Sequence, residues 1–407
     1  MRSGPVPRSR GGRVVAESRS ARSATVAARR DLAALRQRID AIDREILARL
    51  NERAEIVQEV GRAKQATCTA VYQPARERTI VAALEAENAG PFPNAGLEPV
   101  FREIISATRS LEEPMNVVYL GPAGTFSHLA ASEEFGALAE LRGSPSIGDI
   151  FTQVERGKAT YGLVPVENTT EGIVTAAFDA FATLTDPDLT ICAETTRRIA
   201  NDLMSRSGRR EGVRKVASHP QPLAQCREWL DRNLPGVDRI ATASTAAAAA
   251  LASQDEGVAA IGSSIAADVY GLEIIEASIE DRSDNTTRFR IIGKRPPLRT
   301  GNDLTAAIFT IRKDVAGGLY RLLGPFASRE INLLSIHLRP IAGKPWEYHF
   351  FLDLEGHADD GVVADALAQA REIAHSVRVL GSFPRAGRSR RERDGVRSTA
   401  RPAGGAA

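Results

Sequence analysis

A multi-domain chain with three successive fold classes is predicted: an all-α segment, an open α/β segment and a closing α+β segment. Two changes in hydrophobic period carry that prediction. Three- and four-residue spacing runs to about residue 113, and short β runs alternating with helical stretches follow to about 295. The third observation is the order β-α-β-β-α-β over 303–384, which is the ferredoxin-like arrangement.

The first segment begins with Leu32, Leu35, Ile39, Ile42, Ile46, Leu50, Ile56, Val57 and Val60 on one helical face over 31–65, unbroken by proline. A second helix is expected over 75–88, after Pro74. After the Gly/Pro/Asn break at 90–96 a third runs through Val100, Ile104, Ile105, Thr108 and Leu111 and stops before Pro114. In the second segment "MNVVYLG", "YGLVPV", "LTICAE", "VAAIG" and "RFRIIG" read as strands of an open sheet. In the third, "LTAAIFTI", "INLLSIHLRP", "WEYHFFLDLEG" and "VRVLGSF" read as strands, with helices over about 316–328 and 360–375.

Composition is that of a globular protein, 43% hydrophobic and 26% charged. The net charge of +2 conceals a segregation: residues 1–30 hold eight Arg and one Glu, and residues 385–407 hold seven Arg and two acids. Both tails lack hydrophobic periodicity and are expected to be disordered, leaving a net acidic body with no nucleic-acid recognition pattern. No apolar run is long enough to span a membrane. Cys68, Cys192 and Cys226 form no paired framework, which suits a reducing cytoplasmic setting. The histidines show no metal-ligand spacing, and no nucleotide fingerprint is present, so neither metal nor cofactor is expected.

Basic residues on a helix are ordinarily solvated, yet this series has a pattern. "LRQRIDAIDREILARLNERAEIVQEVGRAK", "ARE" and "FREIISATRSLEEP" place Arg36, Arg53, Lys64, Arg76, Glu77, Thr108 and Glu112 across three helices. This stretch, residues 31–113, resembles the helical chorismate mutase family. The resemblance implies that Arg36 (from a partner subunit), Arg53 and Arg76 clamp the substrate's two carboxylates. It also implies that Lys64 reaches the ether oxygen, that Glu77 takes the hydroxyl, and that Thr108 lines the site. No covalent catalysis is needed, because the rearrangement is accelerated by orientation and by donors at the breaking C–O bond. Gln73 replaces a frequent Asp, and Glu112 stands where Gln can donate. A donating Glu112 has to be protonated, so mutase activity is expected to fall as pH rises through neutrality.

In the α/β segment "YLGPAGTFSHLAA" reads as strand, Gly-rich turn and helix, with Thr125 or Ser127 as cap and backbone N–H groups open to an anion. "VPVENTTEG" puts Glu167 and Asn168 at a strand's carboxyl end. "SHPQPLAQC" offers Ser218 and Gln225, and "DNTTRF" delivers Thr287 and Arg288 onto a strand. Singly these are turn chemistry. In this order over 115–295 they resemble prephenate dehydratase. That resemblance implies two α/β subdomains, similar to a periplasmic binding protein, with the site between them. Thr287 then assists the departing ring hydroxyl and Arg288 orients the loop or binds a carboxylate, while Glu167, Asn168, Ser218 and Gln225 line the pocket. Asn201 stands where the family often has His.

The closing segment resembles an ACT domain through "AGGLYRLLGPFA", "INLLSIHLRP" and "WEYHFFLDLEGH". The resemblance implies phenylalanine as effector at Gly317, Gly318, Leu319 and Arg339, although His337 and Leu338 replace the family's Glu and Ser. Three functions remain open at this point. One is a bifunctional mutase–dehydratase acting on chorismate and prephenate as a homodimer or homotetramer. The others are a dehydratase with a vestigial dimerising helical segment, and a non-catalytic amino-acid sensor.

Overall fold

The computed structural model describes residues 13–66, 70–311, 316–344 and 346–386. The chain divides into two compact units, Met1–Glu59 and Val60–Ala407. The first is helical throughout its described part, because α1 (Arg13–Ala66) begins at Arg13. Residues 13–30, expected to be disordered, therefore carry helical backbone. Ala and Arg are strong helix formers, and no proline interrupts the chain between Pro7 and Pro74. The rest of that expected tail, residues 1–12, and residues 387–407 of the C-terminal tail lie outside the described residues. On α1 the stripe Leu32, Leu35, Ile39, Ile42 and Ile46 is about half exposed.

The second unit opens with the end of α1, then α2 (Pro74–Glu87) and α3 (Leu97–Arg109). Proline at the first position of α2 is free of cost, since that N–H has no helical partner.

Two sheets follow. The first subdomain contains β1 (Asn116–Leu120), α4 (Phe126–Phe135), β2 (Glu140–Ser144), α5 (Ile147–Glu155), β3 (Tyr161–Asn168), β4 (Gly172–Ile173), α6 (Thr175–Thr183) and β5 (Thr190–Arg198). The chain then crosses to the second subdomain. That subdomain holds β6 (Asp202–Ser205), β7 (Lys215–Ser218), α7 (Pro220–Gln225), α8 (Arg227–Asn233), β8 (Asp238–Ala241), α9 (Thr245–Gln254), β9 (Val258–Gly262), α10 (Ser264–Tyr270) and β10 (Glu273–Glu276). It returns to the first sheet as β11 (Thr286–Gly293), giving strand orders β2-β1-β3-β11-β5 and β10-β6-β9-β7-β8. β11 is antiparallel to both its neighbours, whereas β1 runs parallel to β2 and β3.

The last domain is β12 (Asp303–Thr310), α11 (Gly318–Ala327), β13 (Leu333–Pro340), β14 (Tyr348–Glu355), α12 (Gly361–Ile373) and β15 (Ser376–Pro384). Its antiparallel order β13-β14-β12-β15 is the expected ferredoxin-like one.

These domains share cores. Val71, Tyr72 and Met115 pack with Phe135, Tyr161, Leu163, Phe289 and Ile291 on one face of the first sheet. Val164, Val166, Ile191 and Ile292 pack on its other face with Leu304, Ile308, Phe351 and Phe383 of the last domain. Gly162 on β3 permits close approach there, since an added Cβ would meet Ile150 at 2.6 Å and Ile292 at 2.9 Å.

Candidate active site

Thr287 lies at the N-terminal end of β11, where the chain returns from the second subdomain, and is 8% exposed. Register pairs it with Asn168, the last residue of β3, so the two side chains share a face. Asn168 Nδ2 donates to Thr287 Oγ1 at 2.9 Å and to Asn285 Oδ1 at 2.8 Å. Asn168 Oδ1 in turn accepts from the backbone N–H groups of Thr170 and Glu171, which fixes the amide orientation. Asn285 Nδ2 donates to Gln225 Oε1 at 3.3 Å, and Asn201 Nδ2 donates to the same oxygen at 3.2 Å. A chain of amides thus runs from Thr287 through Asn168, Asn285 and Gln225 to Asn201, joining the two subdomains. Asn201 Oδ1 and Gln225 Nε2 are buried and have no protein partner. Buried polar atoms of that kind suit water or a polar ligand.

Ser218 stands at the end of β7, fully buried, with its hydroxyl donating to the Ile261 carbonyl at 2.7 Å. It buttresses the strand end. The Gly-rich turn also differs from the expectation of an open anion cradle. Gly121 N–H donates to the Ser144 carbonyl and Gly124 N–H to His128 Nδ1. Thr125 caps α4 by accepting from His128 N–H at 3.3 Å, as one of the two expected caps. The second subdomain grips this turn: Ser263 Oγ donates to the Gly124 carbonyl and Tyr270 to that of Ala123. Burial holds the His128 imidazole below its ordinary range.

Glu167 and Arg288 are not beside Thr287. They pair with each other in register, one residue further along the strands, and therefore project from the opposite face of the sheet. There Arg288 forms an ion pair with Glu167 and reaches Asp353 of β14 at 3.3 Å and Glu194 of β5 at 3.6 Å. The expected role of Glu167 as pocket lining, and of Arg288 as a carboxylate ligand beside Thr287, is corrected by simple alternation; for Arg288 the other expected role, orienting the loop, remains. Arg290, two residues on, reaches Asp353 at 2.7 Å and Glu194 at 3.0 Å. Directly after Arg288 the pairing with β3 slips by one residue, so that Phe289 faces Pro165. Proline cannot donate to a ladder, and a bulge at that point accommodates it inside a strand paired on both sides.

In the helical segment Lys64 Nζ donates to Glu112 Oε2 at 2.9 Å and to the Val71 carbonyl at 3.4 Å. Glu112 is an acceptor in this arrangement, contrary to the expected protonated donor. The Glu77 carboxylate is committed to Arg109 at 2.7 Å, and Arg109 also donates to the Phe135 carbonyl at 2.7 Å. Burial pushes Glu77 above its ordinary range, with the Arg109 charge opposing. The Thr108 hydroxyl donates back along its own helix to the Ile104 and Ile105 carbonyls. Arg76 is exposed at the start of α2. Arg36 and Arg53 belong to the other compact unit. Gln73 spans to the linker after β11, its Oε1 accepting from Leu298 N–H at 3.1 Å.

Among the expected effector residues, Gly317 is the left-handed N-cap of α11, followed by buried Gly318 and exposed Leu319. Arg339 differs from expectation: it holds Asp179 of α6 with contacts of 2.7 and 2.8 Å, tying β13 to the α/β domain. The sequence reading passed over Asn285, Arg290, Glu194 and Asp353. The last three were signalled by charges set among apolar residues inside strands, which a buried ion pair requires.

Family profiles match over residues 35–113 for chorismate mutase type II, 117–297 for prephenate dehydratase and 306–372 for the ACT domain. A bifunctional chorismate mutase/prephenate dehydratase of Aquifex aeolicus (strain VF5) is 43% identical over 360 residues, covering 88% of this chain and 98% of that protein. A solved prephenate dehydratase from Arthrobacter aurescens, in complex with L-Phe, is 36% identical with a TM-score of 0.60, covering 66% of this chain and 89% of its own. A quorum quenching acylase, GqqA, superposes with a TM-score of 0.61 at 26% identity, over 67% of this chain and 98% of its own. With all three family profiles matched in this chain and 43% identity over 98% of the Aquifex relative, the chain belongs to the bifunctional chorismate mutase/prephenate dehydratase family.

Proposed function

We propose that the chain converts chorismate to prephenate in its helical segment and prephenate to phenylpyruvate at Thr287. The observation that carries the dehydratase reading is the Asn168–Thr287 hydrogen bond. A threonine hydroxyl that accepts from an amide has its own proton left to direct elsewhere. The departing ring hydroxyl of prephenate is the group that needs it. As the C–C bond to the carboxylate breaks, its electron pair completes the aromatic ring and expels the hydroxyl with the C–O pair. A hydroxyl group has little acidity of its own, so Thr287 stabilises the leaving oxygen by hydrogen bonding while expulsion and decarboxylation proceed together. The amide chain to Asn285 and Gln225 sets the angle of that donor, and Asn201 closes it.

In the helical segment Lys64 is the donor to the ether oxygen of chorismate, and Glu112 holds its ammonium in place. Arg36, Arg53 and Arg76 supply the carboxylate clamps. The exposed stripe of α1 is the surface of a homodimer in which a second copy contributes its Arg36. Phenylalanine acts as effector through the ACT domain, at the loop Gly317–Leu319. No helix among the described residues is long and apolar enough to cross a membrane, and the buried, unpaired Cys192 and Cys226 fit a reducing cytoplasm.

One coupled assay tests the reading: pure protein is given chorismate, and chorismate, prephenate and phenylpyruvate are followed with and without phenylalanine. The expected course is transient prephenate, then phenylpyruvate, slowed by phenylalanine. Prephenate that accumulates unchanged excludes the dehydratase assignment. Chorismate left intact while added prephenate is consumed excludes the mutase assignment.

A further inference from the structure

Thr287 and Arg288 are neighbours in sequence on opposite faces of β11. One is held by the amide chain of the active site and the other by carboxylates outside it. The outer face is covered by the ACT sheet. Asp353 of β14 receives three donors on a single oxygen: Arg290 at 2.7 Å, Ser335 Oγ at 2.6 Å and Arg288 at 3.3 Å. Glu167 of β3 and Glu194 of β5 complete the ring around the two guanidinium groups. The Arg290 guanidinium lies over the Phe383 ring of β15 at 4.5 Å. His337 of β13 borders the same small cavity, which Arg288, Arg290, Ser335 and Asp353 also line.

We propose that Asp353, contributed by the ACT domain, is a positioning residue for the dehydratase reaction, fixing the end of β11 that presents Thr287. This rests on the assignment of the dehydratase step to Thr287. The reasoning is mechanical. On the β3 side the pairing of β11 slips immediately after Arg288, at the bulge opposite Phe289, while on the β5 side it stays in register there, so the Thr287–Arg288 end is referred to the sheet interior by one continuous ladder instead of two. Its side chains must supply the missing constraint. Inside, a single amide holds Thr287. Outside, Arg288 is held by Glu167, which belongs to the same short strand end, and by Asp353, which belongs to a separate sheet. Of these two outer anchors, the second alone refers the strand end to a body other than the adjoining strands. Arg290, on the far side of the bulge, is tied to the same Asp353 oxygen, so one carboxylate spans the irregularity.

A donor that acts on the leaving group contributes in the transition state and little to substrate binding. Its misplacement therefore lowers kcat and leaves KM nearly unchanged. A carboxylate that merely glues two domains together lowers the folded fraction and leaves the kcat of the folded molecules intact.

The experiment measures kcat and KM for prephenate with the full-length chain, normalised to the folded fraction from near-ultraviolet circular dichroism. Wild type, Asp353→Asn, Asp353→Glu and Ser335→Ala are compared. Asp353→Asn is expected to lose about tenfold or more in kcat with KM within about threefold, the scale on which small misplacements act. Asp353→Glu is expected to recover part of that loss. Ser335→Ala frees one tether of Asp353 without removing its charge and is expected to show a smaller loss, again in kcat. If Asp353→Asn does not fold, the Ser335→Ala result decides. Wild-type kcat in the folded variants, or a change confined to KM, overturns the inference while leaving the dehydratase assignment standing. Absence of phenylpyruvate from wild type overturns that assignment and this inference with it.

Discussion

At the scale of single residues, the catalytic claim concentrates on one oxygen. Asn168 donates to Thr287 Oγ1 at 2.9 Å, and both side chains project from one face of the sheet. Thr287→Ala removes the donor without disturbing the strand pairing and leaves Asn168 its contact to Asn285. Loss of a pre-aligned donor of this type costs on the order of 10²–10³ in kcat. The expected result is that loss in phenylpyruvate formation, with prephenate formation from chorismate preserved; a variant retaining more than a tenth of wild-type kcat removes Thr287 from the mechanism. Thr287 and Asn168 were singled out only by the order of four motifs that resembles prephenate dehydratase; taken alone, each run is ordinary turn chemistry. Arg288 and Glu167 were misplaced for a reason equally present in the sequence. If Thr287, Phe289 and Ile291 face one side, period-2 alternation sends Arg288 and Arg290 to the other. Glu112 shows the opposite limit. Nothing in its local pattern reveals that Lys64, 48 positions away in the chain, lies at 2.9 Å and makes it an acceptor.

At the scale of elements, the ferredoxin-like order and the alternating strands were readable because each is a local periodicity. The bulge in β3 opposite β11 and the crossing of the chain between two sheets were not, since both depend on strand partners far away in the chain. α1 is the clearest case of an element whose pattern predicts more than one chain fulfils. Leu35, Ile39, Ile42 and Ile46 form a regular apolar stripe, yet each remains about half exposed. An isolated helix gains little from such a face, and a contiguous exposed apolar surface of this kind marks an interaction site. With a second copy as the proposed occupant, the double substitution Ile39→Asp/Ile46→Asp places two charges on the stripe. Light scattering after size exclusion should then show a smaller assembly. Mutase turnover should fall by at least tenfold, because a partner's Arg36 is no longer delivered, while dehydratase turnover changes less than twofold. Unaltered mass and mutase activity would sink the dimer assignment.

At the scale of the whole second unit, two seams between segments are each held by a largely buried carboxylate, and this shapes how the molecule responds to acid. On the seam joining the helical segment to the first sheet, Glu134 of α4 accepts from the Tyr72 hydroxyl at 2.6 Å and pairs with Arg197 at 2.8 Å. Burial alone would raise its carboxyl. The Arg197 charge and the Tyr72 and Thr195 hydroxyls outweigh that and hold it below the ordinary range. On the ACT seam, burial likewise opposes ionisation of Asp353, and Arg290, Ser335 and Arg288 together hold it below the ordinary range. A carboxylate whose folded value is depressed contributes stability that is fully present above its unfolded value, near 4. That contribution is lost as pH falls through the folded value. Both seams should therefore weaken together below about pH 4. Glu134→Gln separates the contributions. At pH 7 it leaves Tyr72 and Arg197 with a poorer partner and should cost about 2–4 kcal/mol, somewhat under the cost of stripping a fully buried pair because Glu133 still reaches Arg197 at 2.9 Å. As pH falls through its unfolded value and toward its lowered folded value the wild-type carboxylate loses its contribution, so the two stability curves, measured by denaturant unfolding at each pH, should draw together. Parallel curves with a constant gap from pH 7 to pH 3 would show that Glu134 acts through packing alone and that its charge does not hold the seam.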